Sequence, residues 1–537
     1  MGITASNLAT GVGATAQNVQ FQATATIINR NILVCGPGIP ATITANGVVN
    51  GKVAQVLSSA QGIATYGSGS ILARLLTAVF NGTNGAVQVW ALPEADGSAA
   101  PTNATALTVT ASTPAAGTVT FYINGTGYSA TTTSVSTPTS ICANTLGGLS
   151  YAINADANCP CTATPTAGVI ALTYKSKGVY GNFVTLSFCS QPGDIIPSGV
   201  TGAVVAPTGG TVTSPLGTDL PLAIGTGSVA NILPNGQQVT DLVHGFTQDA
   251  TTVTAISAYN GAGNSPTGLY DGTVGRPIRA LDGHNLATGT AALTAALAIG
   301  TTNILDRTDG LICVPGSLTH PSEIAATAIG VMARINNQRA EQNYIGQILP
   351  GVDPGYACAF AGNRWTDQYT SRDSAVQGGL SPTLCYGSSV LLQNVVTFYH
   401  PASVPVTSNA YREMVNISKV QNILASIRTN FSGPKWLGYT IVSDVKNVTI
   451  GASRQFARDT DSVIDDYVAL AKSWGANAWV YDPNFTIKAL ANKANPAVQL
   501  RVGGDGWASQ IPVLLSGVGN IIDTMINMDI SLAVLSN

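Results

Sequence analysis

Four histidines, His244, His284, His320 and His400, and eight cysteines are the residues of this 537-residue chain best suited to hold a metal or act as base or nucleophile. The histidines recur at no fixed spacing, and there is no CxxC pair or nearby Cys/His cluster, so the pattern of a structural zinc site is missing. Charges gather most closely at Asp282-Gly283-His284 and at Asp306-Arg307-Thr308-Asp309, where an active-site loop would have to be sought. No G-x-S-x-G nucleophile elbow occurs, and Gly36-Pro37-Gly38 and Gly504-Asp505-Gly506 do not extend into a phosphate-cradling loop. Locally satisfied turn residues account better for these segments. The expectation is therefore no catalytic residue, no metal ligand and no cofactor. The competing reading is a secreted glycan-binding or glycan-cleaving β-rich protein, whose mark would be paired carboxylates in a tryptophan-lined cleft. Trp365, Trp436, Trp474, Trp479 and Trp507 are the candidates for that lining.

The cysteines lie at 35, 142, 159, 161, 189, 313, 358 and 385. Cys159-Pro160-Cys161 is the closest pair, and a disulfide across so short a loop would be strained. Buried reduced thiols are expected. Disulfides formed after release from the cell, within or between subunits, remain open for Cys142, Cys159, Cys161 and Cys189.

Charge is scarce. Asp, Glu, Lys and Arg make up 9% of the chain, against about 25% in an ordinary soluble domain. One account is a surface of Ser, Thr, Asn and Gln; the other is a surface largely covered by neighbouring molecules, where every charge needs a partner. The net charge of −3 and the lack of basic runs give no footprint for nucleic acid. No stretch is apolar enough to span a membrane as a helix, and Met1-Gly2-Ile3-Thr4-Ala5-Ser6 lacks the basic and apolar regions of a secretion signal.

The elements that must position these residues alternate between strands and helices. After a polar leading arm, a strand is expected at Ile27–Cys35, then a helix from Gly69 whose Ile71, Leu72, Leu75, Leu76, Val79 and Phe80 recur at helical spacing. A strand returns at Ala86–Leu92. Between 96 and 205 the sequence becomes rich in Thr, Ala, Ser and Gly, with strands expected at Leu107–Thr110, Thr118–Ile123, Val169–Tyr174 and Phe183–Phe188. A short helix is expected within Thr137–Asn154, and turns at Asn124-Gly125, Lys177-Gly178 and Gly181-Asn182. The α/β rhythm resumes with a helix at Leu286–Ile299, a buried strand at Gly310–Val314 and a helix from Pro321 capped by His320 or Thr319. A strand at Val390–Tyr399, helices at Asn409–Phe431 and Thr460–Trp474, the latter capped by Asp459 or Thr460, and a strand at Val498–Val502 follow. Near the end, Ile526, Met528, Ile530, Leu532 and Val534 alternate with polar residues, a strand with one apolar face that could complete its own sheet or a neighbour's.

Several of these segments carry a family likeness. Gly378-Gly379-Leu380, the run Val395-Val396-Thr397-Phe398-Tyr399 and the helix containing Tyr411-Arg412-Glu413-Met414-Val415-Asn416-Ile417 and Ile427-Arg428 together resemble contractile tail sheath proteins of phages, particularly Mu-like ones. Lys177-Gly178-Val179-Tyr180-Gly181-Asn182 resembles the Lys-Gly-x-x-Gly-Asn turn of such sheaths, as does the helix of Gly69–Phe80 leading into Val87–Pro93. The resemblance implies an α/β (α+β) multidomain fold, with a core built from N- and C-terminal segments and inserted β-rich outer domains. The division it suggests is a linker arm at 1–22, the first part of the core at 23–95, a β-rich insert at 96–205, a middle α/β region at 206–376, the C-terminal core at 377–524 and a linker strand at 525–537. It further implies a structural, non-enzymatic subunit that polymerises helically, as stacked hexameric rings, around a tail tube and contracts to drive that tube through the host envelope and eject the genome. Tail tube, baseplate and tail terminator proteins would be the partners, with assembly in the host cytoplasm and residence in the virion. Ile526, Met528, Ile530, Leu532 and Val534 become the inter-subunit strand, and the Thr460–Trp474 helix the tube-contacting one, with Asp461, Asp465, Asp466 and Lys472 as candidate polar contacts.

Overall fold

A computed structural model describes residues 23–517 except 98, 212–215, 247, 264–265, 286–293, 295–296, 299–301, 356–368, 404–409 and 443–456. The expected leading arm, the strand Ile526–Val534, Trp365 and most of the expected helix Leu286–Ile299 lie outside the described residues. The chain is a mixed α/β protein with several separate sheets. It divides into two compact units, one of Ile27–Ala425 with Gly517, the other of residues 23–26 with Ser426–Ser516.

The larger unit is organised by two sheets. In the first, Asn31–Pro37 lies parallel to both Gln88–Glu94 and Asp241–His244, with Arg279–Ala280 and the antiparallel Ala54–Val56 at the edges. All seven residues of Asn31–Pro37 are buried, as befits a central parallel strand covered on both faces. After Leu281 the chain leaves this sheet and joins the second, where Asp282–His284, Leu311–Cys313 and Leu380–Tyr386 run parallel and Ser389–Leu392 returns antiparallel.

Two helices pack closely on these sheets. Ile71–Thr83 starts where the Ser70 hydroxyl accepts from the Ala73 N–H and buries Ile71, Leu72, Leu75, Leu76 and Val79, the stripe read from spacing. It crosses Pro321–Gln338, whose His320 ring accepts from the Ser322 N–H. Gly82 and Gly330 face each other at this crossing. A Cβ on Gly330 would lie 2.6 Å from the Val79 carbonyl oxygen, so both positions need glycine for the backbones to meet.

Residues 102–204 form two antiparallel sheets, with an isolated antiparallel bridge from Thr102 to Thr208 beyond them. One runs in the order Val200–Val204, Thr102–Ala111, Val169–Tyr174, Cys161–Thr166; the other in the order Thr126–Thr132, Gly117–Ile123, Leu186–Phe188. Strict alternation in Gly117–Ile123 and Thr126–Thr132 buries Val119, Phe121, Ile123, Tyr128 and Ala130 between the sheets. Asn124 and Gly125 both have positive φ, the geometry a two-residue hairpin turn requires. The expected helix within Thr137–Asn154 is two helices, Pro138–Cys142 and Leu149–Ala155, separated around Gly147-Gly148. The expected strand Phe183–Phe188 shortens to Leu186–Phe188 because Val179–Phe183 winds into a 3-10 turn.

The smaller unit holds the helices Thr460–Ala476 and Pro483–Leu490, the hairpin Val498–Leu500/Trp507–Ser509 and the parallel pair Thr440–Ile441/Ala457–Arg458. Its centre is aromatic: Phe431, Trp436, Tyr439, Tyr467 and Trp507 contact one another with ring centroids 4.9–6.0 Å apart.

Candidate functional site: the Thr460–Ala476 helix and the Lys177–Asn182 joint

Thr460–Ala476 begins with a capping box. The Asp459 carboxylate accepts from the Ser462 N–H, and the Ser462 hydroxyl accepts from the Asp459 N–H. Its inner face is Val463, Asp466, Tyr467, Leu470, Ala471 and Trp474. Asp461, Asp465 and Lys472 stand exposed on the outer side. Asp466 departs from the expectation that it is a surface contact. It is buried, paired with Lys435, and accepts from Trp436 Nε1 at 2.8 Å and Asn430 Nδ2 at 3.0 Å. Spacing put it beside Asp465; helical phase turns it inward, where three donors offset the loss of water.

In the larger unit, the Lys177–Asn182 motif joins the two ends of the β-rich segment. The Asn182 amide exchanges two hydrogen bonds with the Gly210 backbone, each 2.8 Å, and the Lys177 N–H donates to Asp96 Oδ1 at 2.8 Å. Gly178 has φ +94°, and a Cβ on Gly181 would collide with the Pro101 ring. The glycines and asparagine are thus required by close backbone approach.

Tyr180 of this motif then docks the segment onto the sheet-packing helices. Its hydroxyl donates to Glu323 Oε1 at 2.5 Å, its carbonyl oxygen lies 2.9 Å from His320 Nε2, and its ring stacks on the His320 ring at 3.7 Å. Arg74 completes the joint with a two-point pair to Glu323, 2.6 and 3.0 Å, and a bond to the Asn158 carbonyl at 2.9 Å. Burial pushes the Glu323 carboxyl up, but Arg74 outweighs it and holds the group below its ordinary range. Burial lowers His320 to about 4, so the ring is neutral near pH 7. A cleft of about 200 Å³ opens over this ion pair, lined among others by Gly69, Asn81, Asn158, Thr319 and Gly351.

The charges flagged at Asp282–His284 and Asp306–Asp309 do converge, inside the protein. Asp282, Asp306 and Asp309 are buried, and burial raises each to about 7. His244 is also buried, its Nε2 3.9 Å from Asp309 Oδ2, and burial lowers its pKa. Arg307 lies over the Tyr399 ring at 4.2 Å. Among the described residues no group of three or more His, Cys, Asp or Glu is arranged to hold a metal ion. The described tryptophans flagged for a glycan cleft do not form an exposed platform: Trp436, Trp474 and Trp479 are buried and Trp507 is half-buried.

Spacing gave no signal for the pairing of Arg30 and Arg279. Arg30 donates to Gln421 and to Ser418 Oγ at 2.6 Å; Arg279 pairs with Asp241 and donates to Asn336 Oδ1 at 2.8 Å and Tyr344 Oη at 2.5 Å. The only sequence hint was the polar Asn29-Arg30-Asn31 interrupting an apolar run. Cys142, Cys159 and Cys161 are buried free thiols and Cys189 is a half-buried one, while Cys385 is disulfide-bonded.

The described residues thus define a mixed α/β, multidomain protein with a helix presenting Asp461, Asp465 and Lys472. No family model matches the chain. Over 164 residues it is 31% identical to the Mu-like prophage FluMu tail sheath protein of Haemophilus influenzae, a stretch covering 30% of this chain and 32% of that protein, about a third of its length. This alignment shows the likeness to the Mu-like tail sheath family that the sequence motifs suggested. Solved structures that align with it include the sheath tail proteins of Desulfitobacterium hafniense (TM-score 0.38, 13% identity, 87% of this chain and 92% of that one) and Listeria innocua (0.43, 11%, 93% and 94%). The anti-feeding prophage helical sheath in its contracted state aligns with TM-score 0.43 and 9% identity over 98% of this chain and 100% of that one. Among the described residues no helix is long and apolar enough to cross a membrane.

Proposed function

We propose that this chain is a structural subunit of a contractile tail sheath. In this reading it polymerises helically, as stacked rings around a tail tube, and contracts to drive the tube through a host envelope. The observation that carries the reading is the 31% identity over 164 residues to a Mu-like tail sheath protein. Two others support it. Charge is scarce, as expected of a surface largely covered by neighbours. Arg30 near one end of the larger unit is bonded to Ser418 and Gln421 near the other, as expected of a core assembled from both ends of the chain around an outward insert of residues 96–205.

The partners in this reading are further copies of the chain, a tail tube protein, and baseplate and terminator proteins. The tube-facing side of Thr460–Ala476 is Asp461, Asp465 and Lys472, and the segment Ile526–Val534 supplies the inter-subunit strand. Assembly takes place in the host cytoplasm and the product resides in the virion. Negative-stain microscopy of the purified chain, alone and with the tube protein, tests the proposal. Striated tubes are expected from the full chain, and small oligomers from a chain ended after Asp523. A monodisperse monomer under both conditions, or normal tubes from the shortened chain, would overturn it.

A further inference from the structure

We propose that Cys159 and Cys161 form a reversible dithiol–disulfide site that controls how residues 102–204 dock on the Ile71–Thr83 helix. The two Sγ atoms lie 3.6 Å apart, in mutual hydrogen-bond contact, across the single residue Pro160. Closing that gap to a bond across a single residue strains the short loop, so the backbone at 159–161 must shift with the sulfurs. The inference is independent of the sheath reading.

The position of the pair gives it leverage. The turn bearing it is pressed onto the start of Ile71–Thr83: a Cβ on Gly69 would run into the Cys159 carbonyl oxygen. Ser68 Oγ donates to Asn158 Oδ1 at 2.7 Å, Lys175 Nζ donates to the Ala157 carbonyl at 2.6 Å and the Ser68 carbonyl at 3.4 Å, and Arg74 holds the Asn158 carbonyl. A change in the backbone at 159–161 therefore reaches every one of these bonds. The cleft lined by Gly69, Arg74 and Asn158 opens beside the residue preceding Cys159, while both cysteines are themselves buried.

The chemistry suits the pair. The Cys161 thiol, donating to Cys159, lowers the Cys159 pKa to about 7 against the effect of burial, with the Arg74 charge assisting, while Cys161 itself is raised. Cys159 is thus the nucleophile and Cys161 the resolving thiol. With a peroxide as oxidant, the Cys159 thiolate attacks one oxygen, the O–O bond breaks and hydroxide leaves, giving a sulfenic acid. Cys161 sulfur then displaces that oxygen, which leaves as water, and the S–S bond forms. Two electrons pass from the two sulfurs to the peroxide, and a small dithiol reverses the step.

The test treats the intact, undenatured protein with hydrogen peroxide, blocks free thiols with N-ethylmaleimide and digests with chymotrypsin. The peptide Ala152–Tyr174 contains these two cysteines and no other. It is expected unalkylated and two hydrogens lighter, restored to a doubly alkylatable form by dithiothreitol, and unaffected in C142S. In C161S the light peptide should disappear and Cys159 should be found at the sulfenic or higher acids. Amide exchange at residues 68–74 should rise about tenfold on oxidation of the wild type. Recovery of both cysteines as maleimide adducts, or over-oxidation of either in the wild type, would overturn the site. A disulfide that forms with exchange at 68–74 unchanged would overturn its control of docking.

Discussion

Replacing Arg279 with methionine probes whether buried charge fixes the larger unit. The guanidinium is fully buried, paired with Asp241, and bonded to Asn336 and Tyr344. Removing one partner of such a pair leaves the other charged in a low-dielectric interior, at about 3–5 kcal/mol. Two features place this variant at the lower end. Burial and then the nearby Arg279 charge hold Arg30 down to about 10, and the second of these effects vanishes when Arg279 is removed. Asp241 also continues to attract Arg30. A loss of about 3 kcal/mol is expected, read as a lower urea midpoint for the unfolding of residues 27–425. Hydrogen exchange at Asp241–His244 would locate the loss. The double variant D241L/R279M should recover most of it, since apolar replacements of a whole buried pair are often neutral or better. A cost below about 1 kcal/mol for R279M, or a double variant no more stable than R279M, would refute the reasoning.

In the smaller unit, Asp466→Ala leaves Trp436 Nε1 and Asn430 Nδ2 without their acceptor and should cost about 2–3 kcal/mol, whereas Asp465→Ala should stay within about 0.5 kcal/mol; thermal melts followed by tryptophan fluorescence separate the two. Gly330→Val forces the helices Ile71–Thr83 and Pro321–Gln338 apart and should cost about 3 kcal/mol, measured by urea titration; an unchanged midpoint would mean the crossing is not tight. For the buried acids the sign follows from linkage. Asp309 titrates at about 7 folded and about 3.9 unfolded, so folding takes up a proton between those values, and this group's contribution falls as pH rises through that window. Asp309→Asn should therefore gain stability relative to the wild type by a few kcal/mol between about pH 4 and about pH 7 and level off above it; a difference independent of pH would sink this.

How much of this was legible depended on the range over which each element is determined. Ile71–Thr83, Pro321–Gln338 and Thr460–Ala476 could be read because periodicity and capping residues are local, and the caps Ser462–Asp459 and His320 lie within a turn of what they cap. Val390–Tyr399 looked equally regular, yet the strand stops at Leu392. Beyond it the backbone finds other partners: the Val396 N–H donates to Ser381 Oγ, that of Thr397 to the Arg412 carbonyl and that of Phe398 to the Asp309 carbonyl. An apolar run shows that a segment is buried but not where its hydrogen bonds go. Asp466 was misplaced for a related reason. The helix was correct, but which of two adjacent aspartates faces inward is decided by Asn430, Lys435 and Trp436, about thirty residues earlier. The bonds of Arg30 to Ser418 and Gln421 span almost the whole larger unit, and no local pattern can announce them.

The scarce charge takes on a different meaning once its location is known. Composition alone left two accounts open, an uncharged polar surface or one covered by neighbours; in the structure Arg30, Asp241, Arg279, Asp282, Asp306, Asp309, Glu413, Lys419 and Asp466 are buried within their own units. Arg279 pairs with Asp241 and Asp466 with Lys435, while burial raises Asp282, Asp306 and Asp309 toward the neutral form. On strands such as Thr126–Thr132 the outward positions are Thr, Gly and Ser. Stripping water from a hydroxyl costs far less than stripping it from an ion. In the proposed sheath subunit, leaving one set of neighbours and packing against another would therefore meet a lower desolvation barrier at such strands, while pairs such as Arg279–Asp241 would resist deformation of the core. Rigid-body repacking of the kind proposed would draw on both features, uncharged outward positions on such strands and paired charges in the core.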